Sequence, residues 1–315
     1  MLTLGIYTQA QYLKLGSERR FSGPRVAYNL LDVGEHPSPE AIQLFEDICF
    51  TLRTSNGTFR TTFRNRFHDV DAVACRWMEQ VLSKEMPVRV QDRAVSSGLT
   101  SYEWAQLVFQ YFPNAEFEAS DLLIELLEKT LPTGEVFITE PGAAPLQYIR
   151  PPYVVALDAP ESWRNPLLRW VASRALARFL KLDGKGAIRR ISCIHPQAQG
   201  LGKTNPHFRV QVRSIFDRTP PCHVIRTMNI LNLGYFPVAT LTDAVAAVFQ
   251  SLEPNGLWIV GRTLEEDFTN HVTIFRRGAN AWEVLDRVGK GSEIENIALT
   301  PGTNWLKVGG QVAVR

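Results

Sequence analysis

The sequence is poor in the usual signatures of a staple, a metal or a membrane. Its four cysteines, Cys49, Cys75, Cys193 and Cys222, stand far apart with no paired spacing. That argues against a disulfide framework and a zinc ribbon, and they read as reduced, mostly buried thiols. His195 and His207 have no companion ligands at useful spacing, so no metal is expected. No apolar run approaches the roughly 20 residues of a membrane span. The opening Met1-Leu2-Thr3-Leu4-Gly5-Ile6 is short and has no charged region before it, which argues against a signal peptide. An excess of one charge is missing too. Lys plus Arg number 34 against 32 Asp plus Glu, a formal net charge of +2, and nothing in that balance calls for nucleic acid. With 315 residues, 45% hydrophobic and 21% charged, the composition suits a soluble cytoplasmic enzyme with one large domain and an appendage. Its oligomeric state is open.

What is present starts at Val90-Gln91-Asp92-Arg93-Ala94-Val95-Ser96-Ser97-Gly98. A strand (Pro87 to Asp92) turns through small residues into an amphipathic helix near Thr100, which carries Tyr102, Trp104, Ala105, Leu107 and Val108. A second strand, Ala115 to Ser120, ends in Asp121. Strand, tight turn, helix, then a strand ending in an acid is the layout of a nucleoside site in a doubly wound sheet. The turn lets the backbone approach the ligand, the helix N-terminus offers free N–H groups, and the acid takes the ribose hydroxyls. A dinucleotide fingerprint needs three glycines. Those places hold Ala94, Ser96 and Leu99, with Gly98 the only glycine nearby, so a pyrophosphate fits poorly. A ligand without phosphates, such as S-adenosylmethionine, tolerates Ala and Ser better.

Ala94-Val95-Ser96-Ser97-Gly98 followed by Tyr102 resembles motif I of class I S-adenosylmethionine methyltransferases, and within them the chemoreceptor glutamate methyltransferases. Ala119-Ser120-Asp121-Leu122 resembles their Ala-Ser-Asp-Ile, whose Asp binds the ribose. His223 to Leu231 is similar to their fourth strand, and Leu252-Glu253-Pro254-Asn255-Gly256 to the turn into their fifth. The matches cover about half the chain. The family's two acidic residues after its Ser-Thr-Gly are Leu99 and Thr100 here, and two extra residues separate Asn229 from Tyr235. The resemblance implies an α/β, doubly wound, seven-stranded Rossmann-like sheet with a closing antiparallel hairpin (Val272 to Arg276, Trp282 to Val288). It also implies S-adenosylmethionine as cofactor. The expected cofactor contacts are Asp92, Ala94, Ser96, Ser97, Gly98, Asp121, Ser214, Ile215, Phe216 and Asn229.

The organisation expected is a helical cap or lid over residues 1–86 and a cofactor-binding domain over 87–315, with an insertion at about 132–207. Ser38-Pro39-Glu40 caps a helix whose apolar face is Ala41, Leu44, Phe45, Ile48 and Leu52. Phe59, Phe63 and Phe67, and again Val73, Trp77 and Val81, recur at helical spacing and read as core. Arg53, Arg60, Arg64 and Arg66 read as a solvated basic face or as a docking surface for an acidic partner. A helix is expected after Asp121 through Leu126, then strands at Glu135 to Thr139 and Leu146 to Ile149, and a helix at Pro166 to Leu180 carrying Leu167, Leu168, Val171, Leu176 and Phe179. Tyr7 and Tyr12 lie in a segment expected to close over the site. Gly200-Leu201-Gly202-Lys203-Thr204 resembles a phosphate loop but lacks the leading glycine, and Arg150-Pro151-Pro152-Tyr153 reads as a rigid turn.

A sulfonium methyl is already activated, so the protein has mainly to align the nucleophile and exclude water. Catalytic candidates are Asn229, Tyr235 and His271. Substrate candidates are Arg262, Tyr153 and Tyr12. The acceptor expected is a small molecule or a carboxylate. Two other functions stay open: transfer of another part of the cofactor with release of methylthioadenosine, and a non-catalytic cofactor-binding interaction protein.

Overall fold

Contacts divide the chain into two compact units, residues 1–63 with 123–199 and residues 64–122 with 200–315. The division expected at residue 86 therefore falls elsewhere: residues 64–86 group with the large sheet, and residues 123–131 with the smaller one. The computed structural model describes residues 5–14, 25–55, 57, 59–157, 166–181 and 187–308. The expected core positions Leu167 and Leu168 lie outside the described side chains. Among the described residues no helix is long and apolar enough to cross a membrane.

The second unit is built on a seven-stranded sheet. Its strands are β1 (Arg89–Arg93), β2 (Glu116–Asp121), β8 (Phe208–Val212), β9 (Cys222–Met228), β10 (Leu252–Thr263), β11 (Asn270–Arg277) and β12 (Trp282–Val288). Their order is β12-β11-β10-β9-β1-β2-β8. β8, β2, β1, β9 and β10 are parallel, and β11 and β12 close the sheet as an antiparallel hairpin. The chain runs outward from β1 to β8 and then returns to β9 on the other side of β1. That reversal is the switch point of a doubly wound sheet, where ligands collect at the carboxyl ends. This is the Rossmann-like fold expected, with a meander as its closing hairpin.

Helix α4 (Leu99–Tyr111) joins β1 to β2, and α7 (Val238–Gln250) joins β9 to β10. The two connections step in opposite directions along the sheet. Right-handed crossovers then place the helices on opposite faces. On one face Trp104 of α4 packs edge-on against Phe117, which stacks on Phe208 at 5.6 Å. α3 (His68–Val81) adds Val70, Ala74 and Met78 to the core. Val73, Trp77 and Val81 are on a flank of that helix and only partly buried. On the other face α7, whose Val245, Val248 and Phe249 are fully buried, covers Ile225, Trp258 and Phe275.

The first unit holds a five-stranded antiparallel sheet in the order β6-β5-β4-β3-β7. Its strands are β3 (Glu125–Thr130), β4 (Val136–Thr139), β5 (Pro145–Arg150), β6 (Tyr153–Ala156) and β7 (Ala187–Ser192). β3 replaces the helix expected after Asp121. Its Leu, Glu and Lys favour helix, but pairing on both sides with β4 and β7 overrides that weak preference. Helix α2 (Pro39–Thr51) starts at Ser38 as expected, and Leu44, Phe45 and Ile48 join Leu126, Ile138 and Ile149 in the core. α5 (Pro166–Lys181) contributes Ala175, Val171 and Phe179 to a second cluster with Phe137 and Tyr148.

Three more regions differ from expectation. Phe59 lies in a bridge with Arg53 and residues 60–63 are not helical, so the phenylalanine spacing is coincidental. Arg60 is buried rather than solvated. Residues 5–14, which include α1 (Gln9–Leu13), are no loose segment: Ile6 and Tyr12 are buried in the core cluster of the first unit, and the Tyr12 hydroxyl donates to Asp47. The four cysteines are free and buried. Gly200 to Thr204 lie in helix α6 (Pro196–Thr204), so they form no phosphate loop.

Candidate functional site

The site is built where β1, β2, β9 and β10 end. After β1 the backbone turns with Ala94, Ser96 and Gly98 all left-handed, at φ of 60°, 56° and 72°. Left-handed backbone costs a residue with a Cβ about 1–2 kcal/mol. The chain therefore keeps the shape of a glycine loop at two places where it has no glycine. The spacing differs from the Ala94, Ser96, Leu99 set read from the sequence, because Leu99 is already the first residue of α4. Gly98 is the residue before that helix, so the turn delivers the chain into it.

Asp121, at the end of β2, lies over this turn. Its Oδ2 accepts from the Ser96 N–H at 2.7 Å. The Ser97 side chain is also turned inward. Its Oγ is buried and has no hydrogen-bond partner among the described residues, an unusual condition for a buried hydroxyl. Ser214, Ile215 and Phe216 follow β8 in a turn where the Phe216 N–H donates to Ser214 Oγ and the Ser214 N–H to Asp217. Ile215 and Phe216 pack into the α7-side core, with Phe216 edge-on to Phe236.

Asp92 has a different place from the one expected. It is buried on the α4 side, where Arg226 Nε donates to its Oδ1 at 3.0 Å and Arg226 Nη2 to its Oδ2 at 2.6 Å; Ser101 Oγ donates to Oδ2 at 2.6 Å. Its oxygens are committed to protein partners, so it braces the turn instead of meeting a ligand. Arg226 also donates to Asp71 of α3 and lies 4.3 Å from the centre of the Trp104 ring. Two carboxylates share one guanidinium, and burial pushes the Asp71 carboxyl up to about 7. The legible signal was Arg226 itself, a charged residue in the middle of the apolar strand Cys222–Met228. Such a residue must bring a buried partner with it.

At the ends of β9 and β10, Asn229 is left-handed (φ 61°) and its Oδ1 accepts from the Thr263 N–H at 2.7 Å. Arg66, just before α3, donates from Nε to Thr263 Oγ1 at 3.0 Å, and burial pushes its guanidinium down to about 10. Arg262 reaches Glu293 at 3.4 Å. Tyr235 is 54% exposed beside this group, with its N–H held by Asn232. His271 is unsuited to act as a base. Its Nδ1 accepts from the Lys290 N–H at 2.8 Å, leaving Nε2 to donate to Thr269, whose hydroxyl donates to Asp267. Tyr12 and Tyr153 belong to the first unit. Tyr12 is buried there, and Tyr153 is 38% exposed on β6.

No protein-family model matches the chain, and no curated protein does. Solved structures with a similar fold include the CMeT domain of the citrinin polyketide synthase, at 13% identity over 71% of this chain with a TM-score of 0.34. The chain spans 39% of that structure's length. Another is an O-methyltransferase family protein from Burkholderia thailandensis, at 12% identity over 73% of this chain and 44% of that one, TM-score 0.28. A third is CalS10 with bound SAM, an amino pentose methyltransferase from Micromonospora echinaspora, at 13% identity over 78% of this chain and 83% of that one, TM-score 0.32.

Proposed function

We propose that the chain binds S-adenosylmethionine at the switch point of the large sheet and transfers its methyl group to a small acceptor, with a carboxylate as the favoured nucleophile. The observation that carries this is the turn after β1. Ala94, Ser96 and Gly98 hold a left-handed backbone against its steric cost, directly under Asp121. Strain of this kind persists where the surrounding structure imposes it, and it clusters at ligand sites. The residues present suit the cofactor. Asp121 would accept from the ribose hydroxyls, the backbone from Ala94 to Gly98 would allow close approach, and the unpartnered Ser97 hydroxyl would gain a partner.

Bound S-adenosylmethionine supplies a methyl group already activated on a sulfonium. The protein's remaining work is to hold the acceptor in line and to exclude water. Arg66 and Arg262 place two cations at the ends of β9 and β10, suited to orienting an anion. Asn229 and Tyr235 line the same end of the sheet. Both nitrogens of His271 are occupied by protein partners, which leaves it no lone pair for a proton. An acceptor already ionised near pH 7 needs no such base, whereas an alcohol or a phenol would want one.

The first test is the cofactor. Asp121→Ala should weaken S-adenosylmethionine binding by roughly 1.5–3 kcal/mol by calorimetry. Unchanged affinity in a folded variant would remove Asp121 from the site. The second is the product. Mass analysis of the nucleoside left after incubation with cofactor and cell extract should show S-adenosylhomocysteine. Methylthioadenosine instead would mean that another part of the cofactor is transferred.

A further inference from the structure

One face of β1, β2 and β8 takes no part in that site. Along β1 it carries Arg89, Gln91 and Arg93, along β2 Glu116, Glu118 and Ser120, and along β8 Arg209 and Gln211. The register sets these opposite one another: Arg89 by Glu116, Gln91 by Glu118, and Glu118 by Arg209. Parallel strands are normally covered on both faces and read as continuous apolar runs. Polar alternation here marks a face that no helix covers.

The topology says the same. To reach β9 from β8 the chain must pass back across β2 and β1. Such crossovers usually carry a helix. Residues 213–221 carry none and end in Pro220-Pro221. A cavity of about 250 Å³ lies there, lined by residues of β1, β2 and β8 together with His207, Pro220 and Pro221. It is smaller than the roughly 300–1,000 Å³ of drug-sized sites, so it suits a small ion or metabolite.

Two of its guanidiniums gather at a single buried carboxylate. Glu118, 6% exposed, accepts from Arg213 Nε at 2.9 Å and from Arg209 Nη2 at 2.9 Å, so two guanidiniums meet one carboxylate. Arg89 reaches Glu253 at 2.8 Å, and Glu116 stands at the rim. Arg93, fully buried on the same face, stands outside the lining, with its donors held by Gln91 Oε1, Thr219 Oγ1 and the Ile215 and Asp217 carbonyls.

We infer that this cavity binds a small oxyanion, phosphate or carboxylate in type, between Arg209 and Arg213. Arg213 Nη2 also donates to Gln211 Oε1 at 3.2 Å; each guanidinium, with five N–H groups, still has donors beyond these contacts, and its fork suits either oxyanion.

Titrating the full chain with inorganic phosphate, and separately with malonate, at ionic strength matched by potassium chloride, tests this. Phosphorus NMR line broadening and calorimetry should report phosphate binding with a dissociation constant on the order of millimolar. Arg213→Gln and Arg209→Gln should each weaken it about tenfold. Arg209 is 62% exposed on its side chain, so its variant keeps the test intact if the Arg213 variant does not fold. Tighter binding of malonate than of phosphate would assign the site to carboxylates, within the same proposal. No binding of either anion, or binding unchanged in both folded variants, would overturn it.

Discussion

Strands β1, β2 and β8 have two faces that share every backbone hydrogen bond and almost nothing else. One is covered by α4 and holds the Trp104, Phe117 and Phe208 rings and the Arg226 cluster. The other has Glu118, Gln91 and three arginines around a cavity. The ladder cannot tell the faces apart, so the difference lies wholly in the side chains and in what covers them. Apolar surface removed from water stabilises by about 25 cal/mol per Å². Ion pairs whose cations reach water, as Arg209 does from Glu118, give roughly 0–1 kcal/mol. The covered face should therefore carry the stability of these strands, and the open face should be free to serve recognition.

The largest expected effect is on the covered face. Trp104→Ala empties a fully buried site and should cost about 3–5 kcal/mol in urea unfolding. A loss below 1 kcal/mol would show that α4 contributes little to this sheet. Next comes the charge buried there. The Asp71 carboxyl is raised above its unfolded value, so the folded state holds the proton more tightly. The stabilisation is present below about pH 4 and is lost as pH rises to about 7. Between pH 5 and 8 the unmodified chain should lose on the order of 2 kcal/mol more than Asp71→Asn does. Parallel profiles would mean that burial does not raise the Asp71 carboxyl.

The open face should respond less. Glu118→Gln keeps one acceptor for Arg209 or Arg213 and should cost about 1 kcal/mol. A loss as large as that of Trp104→Ala would erase the contrast between the faces. The smallest expected effect has the opposite sign. Ser96→Gly removes the steric cost of φ 56° and should stabilise by up to about 1 kcal/mol, the added backbone freedom of glycine offsetting part of the gain. Destabilisation instead would indicate that the serine side chain holds the turn.

The sequence by itself determined the local features. The Ser38 cap and the apolar spacing of α2 are set within one or two turns, and both appear in the structure. The turn after Asp92, the acid ending β2 and the strands on either side of α7 are likewise short-range patterns of size and polarity. The alternation along β1, β2 and β8 was also there to be read as an open face. Tertiary structure alone decided the rest. Glu125–Thr130 became a strand because two neighbours supply its hydrogen bonds, an outcome its own residues disfavour. Asp92 turned from the ligand side to Ser101 and to Arg226, the latter 134 residues away in sequence. Ala94 and Ser96 took a backbone that glycine prefers, in a turn held between β1 and α4 where the Ser96 N–H donates to Asp121. Local propensities are worth a few tenths to about 1 kcal/mol per residue, and a pairing or a buried ion contact outweighs them.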